Sequence, residues 1–588
     1  MTKSSRVRNI AISTLLVLSV MTFMALMGDY YFDLNDDVLM KDILSGAYTG
    51  VPEGNNIQML YPISAFISLL YRINIGPDWY GIFLCTCQFA CVFMVSYRLL
   101  SRIEDRLMKW SLAGMLLFFM LGVIGSHFLF VQYTFTCGLL SATSVVMIMT
   151  KKEGDASLVL SAVLIAIAYL LRSEMLLLTL PVVGVAVLTK WALERKEILS
   201  YIEFLVAIAL VIVLSQGIHR IANSPSDWKE FNRFFDARTE LYDFQYIPDY
   251  DENRAFYDGI GLSESEQQLL VNYNFGLDDE INADILFAVA QYAADMRTEE
   301  IPLPKKLAGA LVMYLYRLRH IAAQKSYEYP MSDFPWNVVT LVLYAGVVVS
   351  ALFPKAERDR KKLLLLLGLL ATLFACRTTL WLYIIARGRD PIRITHPLYL
   401  MEIAVLIGIL IMNAAKSPKC VTASLIVLLL IGAASFPNQT GIIGDELDSR
   451  QLMRTHYDAL YDYFHEHRDS FYYIDVYTAV SAGEDADFGE ATFSEKMFEN
   501  VDNTYANHDL MGGWASKSPL YYKKAAAFGL PAMEEALLLP NVYIIQNRSG
   551  DLEWISDYYR EKGRDVSVYA VDVVADTFAV IRVSQTLP

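Results

Sequence analysis

Cysteine is scarce in this 588-residue chain and absent from its long polar segments. The six cysteines, Cys85, Cys87, Cys91, Cys137, Cys376 and Cys420, all fall in or beside apolar blocks. Disulfides therefore cannot staple the polar parts. Cys85, Cys87 and Cys91 stand close together, but no His or carboxylate accompanies them in their block, so small apolar packing explains them better than a metal site does. Charge is also short: Asp, Glu, Lys and Arg make up 19% of the residues, against roughly 25% in soluble proteins. The charge that exists leans acidic, with a net value of −15. That balance argues against nucleic acid, whose phosphates require Lys and Arg. No Gly-rich phosphate loop, nucleophile elbow, His-Glu-x-x-His or CxxC pair is present, so ATP-driven pumping has no support. Internal repeats and low-complexity linkers are missing too.

What the chain has in abundance is apolar sequence, 55% of it hydrophobic and 13% aromatic. Eleven blocks read as membrane spans: Asn9–Met27, Trp79–Leu100, Trp110–Ser126, Tyr133–Thr150, Ser157–Leu171, Met175–Thr189, Tyr201–Ile218, Trp336–Phe353, Leu363–Ile385, Leu398–Met412 and Val421–Phe436. The first follows Lys3, Arg6 and Arg8 like a signal peptide, but it ends in Leu26 and Met27 with no small-residue cleavage site. It reads as a retained first helix. Met59–Ile73 is apolar but short and interrupted by Pro62, which suits a helix lying at the membrane interface.

With the N-terminus inside, the inward connections carry Arg102, Arg106 and Lys109, then Lys151 and Lys152, then Lys190, Arg195 and Lys196. The next carries Lys355, Arg358, Arg360, Lys361 and Lys362, and the last Lys416 and Lys419. Every inward connection is basic, as the positive-inside rule requires. The expectation is a multi-pass cell-membrane protein with a cytoplasmic N-terminus and an extracytoplasmic C-terminal domain. Residues 1–218 form an N-terminal membrane region with a first outside loop, and 219–335 an extracytoplasmic, mostly helical insert. Residues 336–436 form a second membrane region. Residues 437–588 form a small α/β domain, with Phe471–Val476, Val542–Gln546 and Phe578–Val583 as short buried strands.

Three places carry chemistry. Directly after the first span, Asn35 suits an N-cap, with Asp36 and Asp37 in the first turn of a helix ending at Gly46. Acids there favour the helix dipole, and a carboxylate fixed at the membrane face also suits a general base. Arg172 ends an apolar block with Glu174 two residues on, and Arg377 lies inside one, where an unpaired charge costs several kcal/mol. Arg172 suits a snorkelling or locally paired arginine as well as a binding one. The connection from Ala386 to Pro397 is outside yet holds Arg387, Arg389 and Arg393, a cluster fit for a phosphate or for pairing with acidic neighbours.

These residues resemble the GT-C superfamily of integral-membrane glycosyltransferases, bacterial glycosyltransferase-like membrane proteins in particular. The matching stretches are Asn35-Asp36-Asp37, Ser45-Gly46-Ala47-Tyr48-Thr49-Gly50-Val51-Pro52, Tyr61-Pro62 and Leu171-Arg172-Ser173-Glu174. Phe231-Asn232-Arg233, Arg238, Asp243 and Gly259 to Ser263 join them. The resemblance implies transfer of a sugar from a polyprenyl-phosphate-type donor to a cell-envelope glycan or protein, among membrane lipids, on the extracytoplasmic face. Asp36 or Asp37 would take the acceptor proton. Arg172, Arg377, Arg389 and Arg393 would hold the donor phosphate. The resemblance implies no cofactor; a divalent metal is compatible with such a site but nothing in the sequence asks for one. A transporter or flippase of a lipid-linked or polar solute is the main rival, although paired halves with broken helices are not visible. A non-catalytic envelope scaffold is the third reading.

Overall fold

The computed structural model describes residues 3–300, 302–327, 332–353, 360–482, 495–499 and 506–586. Lys355 and Arg358 of the fourth basic connection lie outside the described residues. Each apolar block coincides with a helix, most ends agreeing within a few residues. Seven described helices are long and apolar enough to cross a membrane: Ser4–Met27, Trp79–Leu100, Ser173–Glu194, Ile198–Ala222, Arg360–Ala386, Ile392–Met412 and Pro418–Glu466. The chain is a multi-pass helical membrane protein. Four further blocks form shorter helices, Arg106–Gly122, Tyr133–Met149, Ser157–Leu171 and Trp336–Leu352, of 15 to 17 residues. At 1.5 Å per residue they reach about 22–26 Å, short of a full ~30 Å hydrocarbon core. The Tyr133–Met149 helix is buried along its whole length, as is most of Ile392–Met412, so these two form the centre of the bundle.

Pro418–Glu466 runs 49 residues without a break, about 73 Å. Sequence reading ends the last span at Phe436 and begins the small α/β domain at Pro437. The structure joins them, and the boundary at 436/437 falls inside one helix. Proline costs a helix about 3 kcal/mol; burial of Ile442 and Ile443 and the buried Arg450 beyond it offset that cost. The same helix packs on Arg106–Gly122 through paired glycines, where a Cβ on Gly122 would lie 2.1 Å from the Gly432 carbonyl oxygen. Only glycine permits that approach.

Two short strands, β1 (Tyr31–Phe32) and β2 (Phe130–Val131), pair in parallel and fasten the first loop to the entrance of the central helix. The C-terminal domain is a five-stranded sheet in the order β4-β3-β5-β7-β6, with β3 Phe471–Ile474, β4 His508–Leu510, β5 Val542–Asn547, β6 Val566–Val574 and β7 Phe578–Gln585. β3 is parallel to both neighbours, and β7 is antiparallel to β5 and β6. The expected strands are β3, β5 and β7. Sequence reading misses β4, three residues long, and β6, an exposed edge strand whose alternation serves no core. The insert is helical, with Ser226–Phe244, Glu264–Val271, Ala283–Glu300 and Leu303–Arg319 as its main elements. It does not stand apart from the sheet domain: Phe234, Leu241, Leu269 and Leu286 share one apolar core with Tyr473, Ile544, Tyr558 and Ile581.

Candidate functional site

The helix Asn35–Ser45 begins where β1 delivers the chain beside the central bundle. Leu34, in extended conformation (φ −130°, ψ 158°), takes the capping position, and no side chain caps the helix. Asn35, expected as the cap, is instead the first helical residue. Gly46 ends the helix at φ 89°, with its N–H bonded to the Asp42 carbonyl. Successive residues on a helix point about 100° apart, and this separates the two aspartates. Asp37 turns into the core and is fully buried. Its Oδ1 accepts from the Tyr80 hydroxyl (2.8 Å) and from the Tyr133 backbone N–H (3.3 Å), while Oδ2 has no partner. Burial pushes the Asp37 carboxyl well above the usual carboxylate range, more than the Tyr80 hydrogen bond lowers it. Asp37 therefore keeps its proton to higher pH than a free carboxyl does, and it is not among the residues lining the cavity that Asp36 faces. Asp36 is half-buried and faces a cavity of about 930 Å³ between the helical bundle, the insert and the sheet domain. Among the described residues Asp36 makes no hydrogen bond and no ion pair.

Arginines line the same cavity. Arg172 sits in extended backbone (φ −151°, ψ 96°) between the helices Ser157–Leu171 and Ser173–Glu194. Its Nη1 donates to Gln58 Oε1 (2.5 Å), its Nε pairs with Glu174 (3.2 Å), and its guanidinium lies over the Tyr133 ring at 5.2 Å. Local pairing with Glu174 and a place in the cavity therefore coexist. Arg389 reaches Asp243 of the insert (3.1 Å), and Arg238 approaches the same carboxylate (3.7 Å). Arg387 is exposed and rests against the Phe244 and Tyr383 rings. Arg393 makes no hydrogen bond or ion pair among the described residues. Burial lowers Arg389 from its ordinary value, and the nearby Arg393, Arg172 and Arg238 act in the same direction. Four guanidiniums, Arg172, Arg238, Arg389 and Arg393, thus gather on one side of the cavity. On the far wall the sheet domain supplies Lys524, its Nζ 3.8 Å from Asp509 and 4.4 Å from the Tyr48 ring; the Tyr48 hydroxyl donates to Asp509 (2.9 Å).

Arg377 is elsewhere. It is 4% exposed, pairs with Glu402 at 3.0 Å, and is surrounded by the rings of Tyr314, Trp381 and Tyr399. The Tyr344 hydroxyl donates to the other Glu402 oxygen (2.7 Å). Arg377 does not line the cavity; its charge is used to join the helices Arg360–Ala386 and Ile392–Met412. The signal missed in the sequence was Glu402, an acid inside an apolar block that matches the stranded arginine. Another buried pair fixes the first loop: Arg450 of the long helix contacts Asp33 (3.2 Å) and Glu446 (2.7 Å) and donates to the Phe32 and Asp33 carbonyls.

The described residues contain one cluster with metal-ligand spacing, Glu266, Asp278 and Glu280. The ammonium of Lys562 stands among them at 2.8, 2.9 and 2.8 Å, which offsets part of their charge and ties the insert to the sheet domain.

No family model matches the sequence, and none of the curated proteins compared with it does. Among solved structures, the chain is similar to ArnT from Cupriavidus metallidurans bound to undecaprenyl phosphate, at 12% identity over 97% of either chain with a TM-score of 0.37. The apo state of the same protein gives 12% identity, the same coverage and a TM-score of 0.38. At that distance the geometry of the cavity itself has to carry any functional reading.

Proposed function

We propose that this protein is a membrane glycosyltransferase of the GT-C type, moving a sugar from a polyprenyl-phosphate-type donor to a cell-envelope acceptor on the extracytoplasmic face. The observation that carries this reading is one chamber holding Asp36, a carboxylate with no hydrogen bond or ion pair among the described residues, together with a cluster of guanidiniums, Arg172, Arg238, Arg389 and Arg393. Glycosyl transfer from a lipid phosphate needs both. As the acceptor oxygen bonds to the anomeric carbon, its proton passes to Asp36. The bond from that carbon to the phosphate oxygen breaks, and the electron pair leaves with the lipid phosphate. Arg393, with Arg389 and Arg172 beside it, stabilises that charge, which is larger in the transition state than in the bound donor. Asp37 sets the helix against Tyr80 and Tyr133 and thereby aims Asp36. The outward orientation is supported by the basic connections, which gather at the opposite ends of the bundle helices. The C-terminal domain and insert would then close over the donor headgroup and exclude water, as a transferase must in order to avoid hydrolysis.

The test is to incubate the purified protein in liposomes with polyprenyl-phosphate-linked sugars and follow release of free polyprenyl phosphate. Release that depends on an added acceptor is the expected result. Movement of the intact donor across the bilayer with no covalent product would replace this reading with the flippase.

A further inference from the structure

A second large cavity, about 1070 Å³, opens at the other end of the helical bundle. The helices Tyr133–Met149 and Ser173–Glu194 begin at the cavity holding Asp36 and end at this one. Its inner walls are apolar, formed by Met149, Leu365, Leu366, Ile409 and Met412. Eight basic side chains line it against the single carboxylate of Glu194. Three of the eight are already used in ion pairs: Lys151 with Glu197, Lys190 with Glu194 (side chains 7% and 2% exposed for the lysines), and Arg102 with Asp155. Lys152, Arg195 and Lys416 make no ion pair among the described residues. Part of the positive charge offsets the dipoles of the four helices that end here, Tyr133–Met149, Ser173–Glu194, Trp336–Leu352 and Ile392–Met412, roughly half a charge each, which is less than the three basic groups left without an ion pair. Basic connections are what the positive-inside rule asks for. That rule does not ask for a chamber with apolar walls beneath a basic mouth.

We propose that this cavity binds the phosphate of an anionic phospholipid. Lys152, Arg195 and Lys416 hold the headgroup, and the acyl chains lie against the Arg360–Ala386 helix, where Leu364 and Leu367 present open apolar surface. A diester phosphate on two hydrocarbon chains matches both halves of the cavity, and basic pockets between spanning helices are the usual receptors for such headgroups. This inference is independent of the transferase reading, because the residues and the face are different.

The test compares wild type with the Lys152→Gln, Arg195→Gln, Lys416→Gln triple variant. All three residues are exposed, so the buried ion pairs stay in place. Both proteins are reconstituted in phosphatidylcholine nanodiscs with a minor share of phosphatidylglycerol, and the lipid retained after detergent extraction is weighed by native mass spectrometry. Wild type should retain phosphatidylglycerol selectively and gain thermal stability from it. The variant should retain roughly tenfold less and gain nothing. Equal retention by the two proteins would overturn the proposal. So would equal stabilisation of wild type by inorganic phosphate alone, which would make this an anion site rather than a lipid site.

Discussion

Asp37 and Arg377 show how position decides what a charged side chain does. Asp37 shares its helix turn with Asp36, yet it is sealed beneath Tyr80 and Tyr133 with its carboxyl pushed up by burial. Because its folded pKa lies above the unfolded value of about 3.9, the native state keeps the proton longer than the unfolded chain does. Its contribution to stability is therefore complete below about pH 3.9 and declines as pH rises toward the raised folded value. Asp37→Asn keeps the acceptor oxygen and removes that decline. Thermal unfolding of the variant in detergent should show a margin over wild type that widens from pH 4 toward neutrality; a constant difference would mean that Asp37 is ionised in the fold. Arg377 makes the opposite case. Arg377→Gln strands Glu402 in the bundle and should cost about 3–5 kcal/mol of stability, while donor affinity per folded molecule stays near that of wild type. Arg393→Gln should leave stability within about 0.5 kcal/mol and weaken donor binding, because Arg393 makes no hydrogen bond or ion pair among the described residues and acts on the buried Asp33 only at longer range. Thermal unfolding and donor titration on the same preparations separate the two.

At the scale of elements, the apolar blocks were legible because a span must be a continuous run of hydrophobic residues, and runs do not depend on tertiary context. The ends of Trp79–Leu100 and Ser157–Leu171 agree to the residue. Local rules failed where distant packing overrode them. The span read as ending at Phe436 is carried on through Pro437 by the long helix, and the two polar regions read as separate while sharing one core. The site divided along the same line. The acidic first turn and the arginine connection were visible in the sequence; which aspartate faces the cavity, and that His508, Asp509 and Lys524 form its far wall, depends on contacts hundreds of residues apart. The long helix is tied to the first loop chiefly through Arg450. Arg450→Gln removes the ion pair of the buried Asp33, which should cost about 3–5 kcal/mol and speed hydrogen exchange across residues 31–45. Unchanged exchange there would mean that the strand pair β1–β2 holds the loop without it.

For the whole molecule, charge is sorted by face. One end of the bundle collects the lysines and arginines of the short connections, and the other carries the insert, the sheet domain and the cavity with Asp36. Ser549→Cys, exposed on the sheet domain, should react with an impermeant thiol reagent in intact cells, whereas Ala156→Cys, exposed at the basic end, should react only after permeabilisation. The reverse pattern would move the cavity to the cytoplasm and remove the extracytoplasmic acceptor. If this cavity transfers sugar with Asp36 as the base, as proposed, the neighbouring Asp37 is the control for it. Transfer of labelled sugar from a lipid-linked donor should be measured in liposomes for wild type, Asp36→Asn and Asp37→Asn, each normalised to folded protein. A general base contributes typically about 10²–10⁴-fold, so Asp36→Asn should lose about that much with donor binding retained, while Asp37→Asn stays within a few-fold of wild type. Full activity in Asp36→Asn, or its loss only in Asp37→Asn, would mean that Asp36 is not the base.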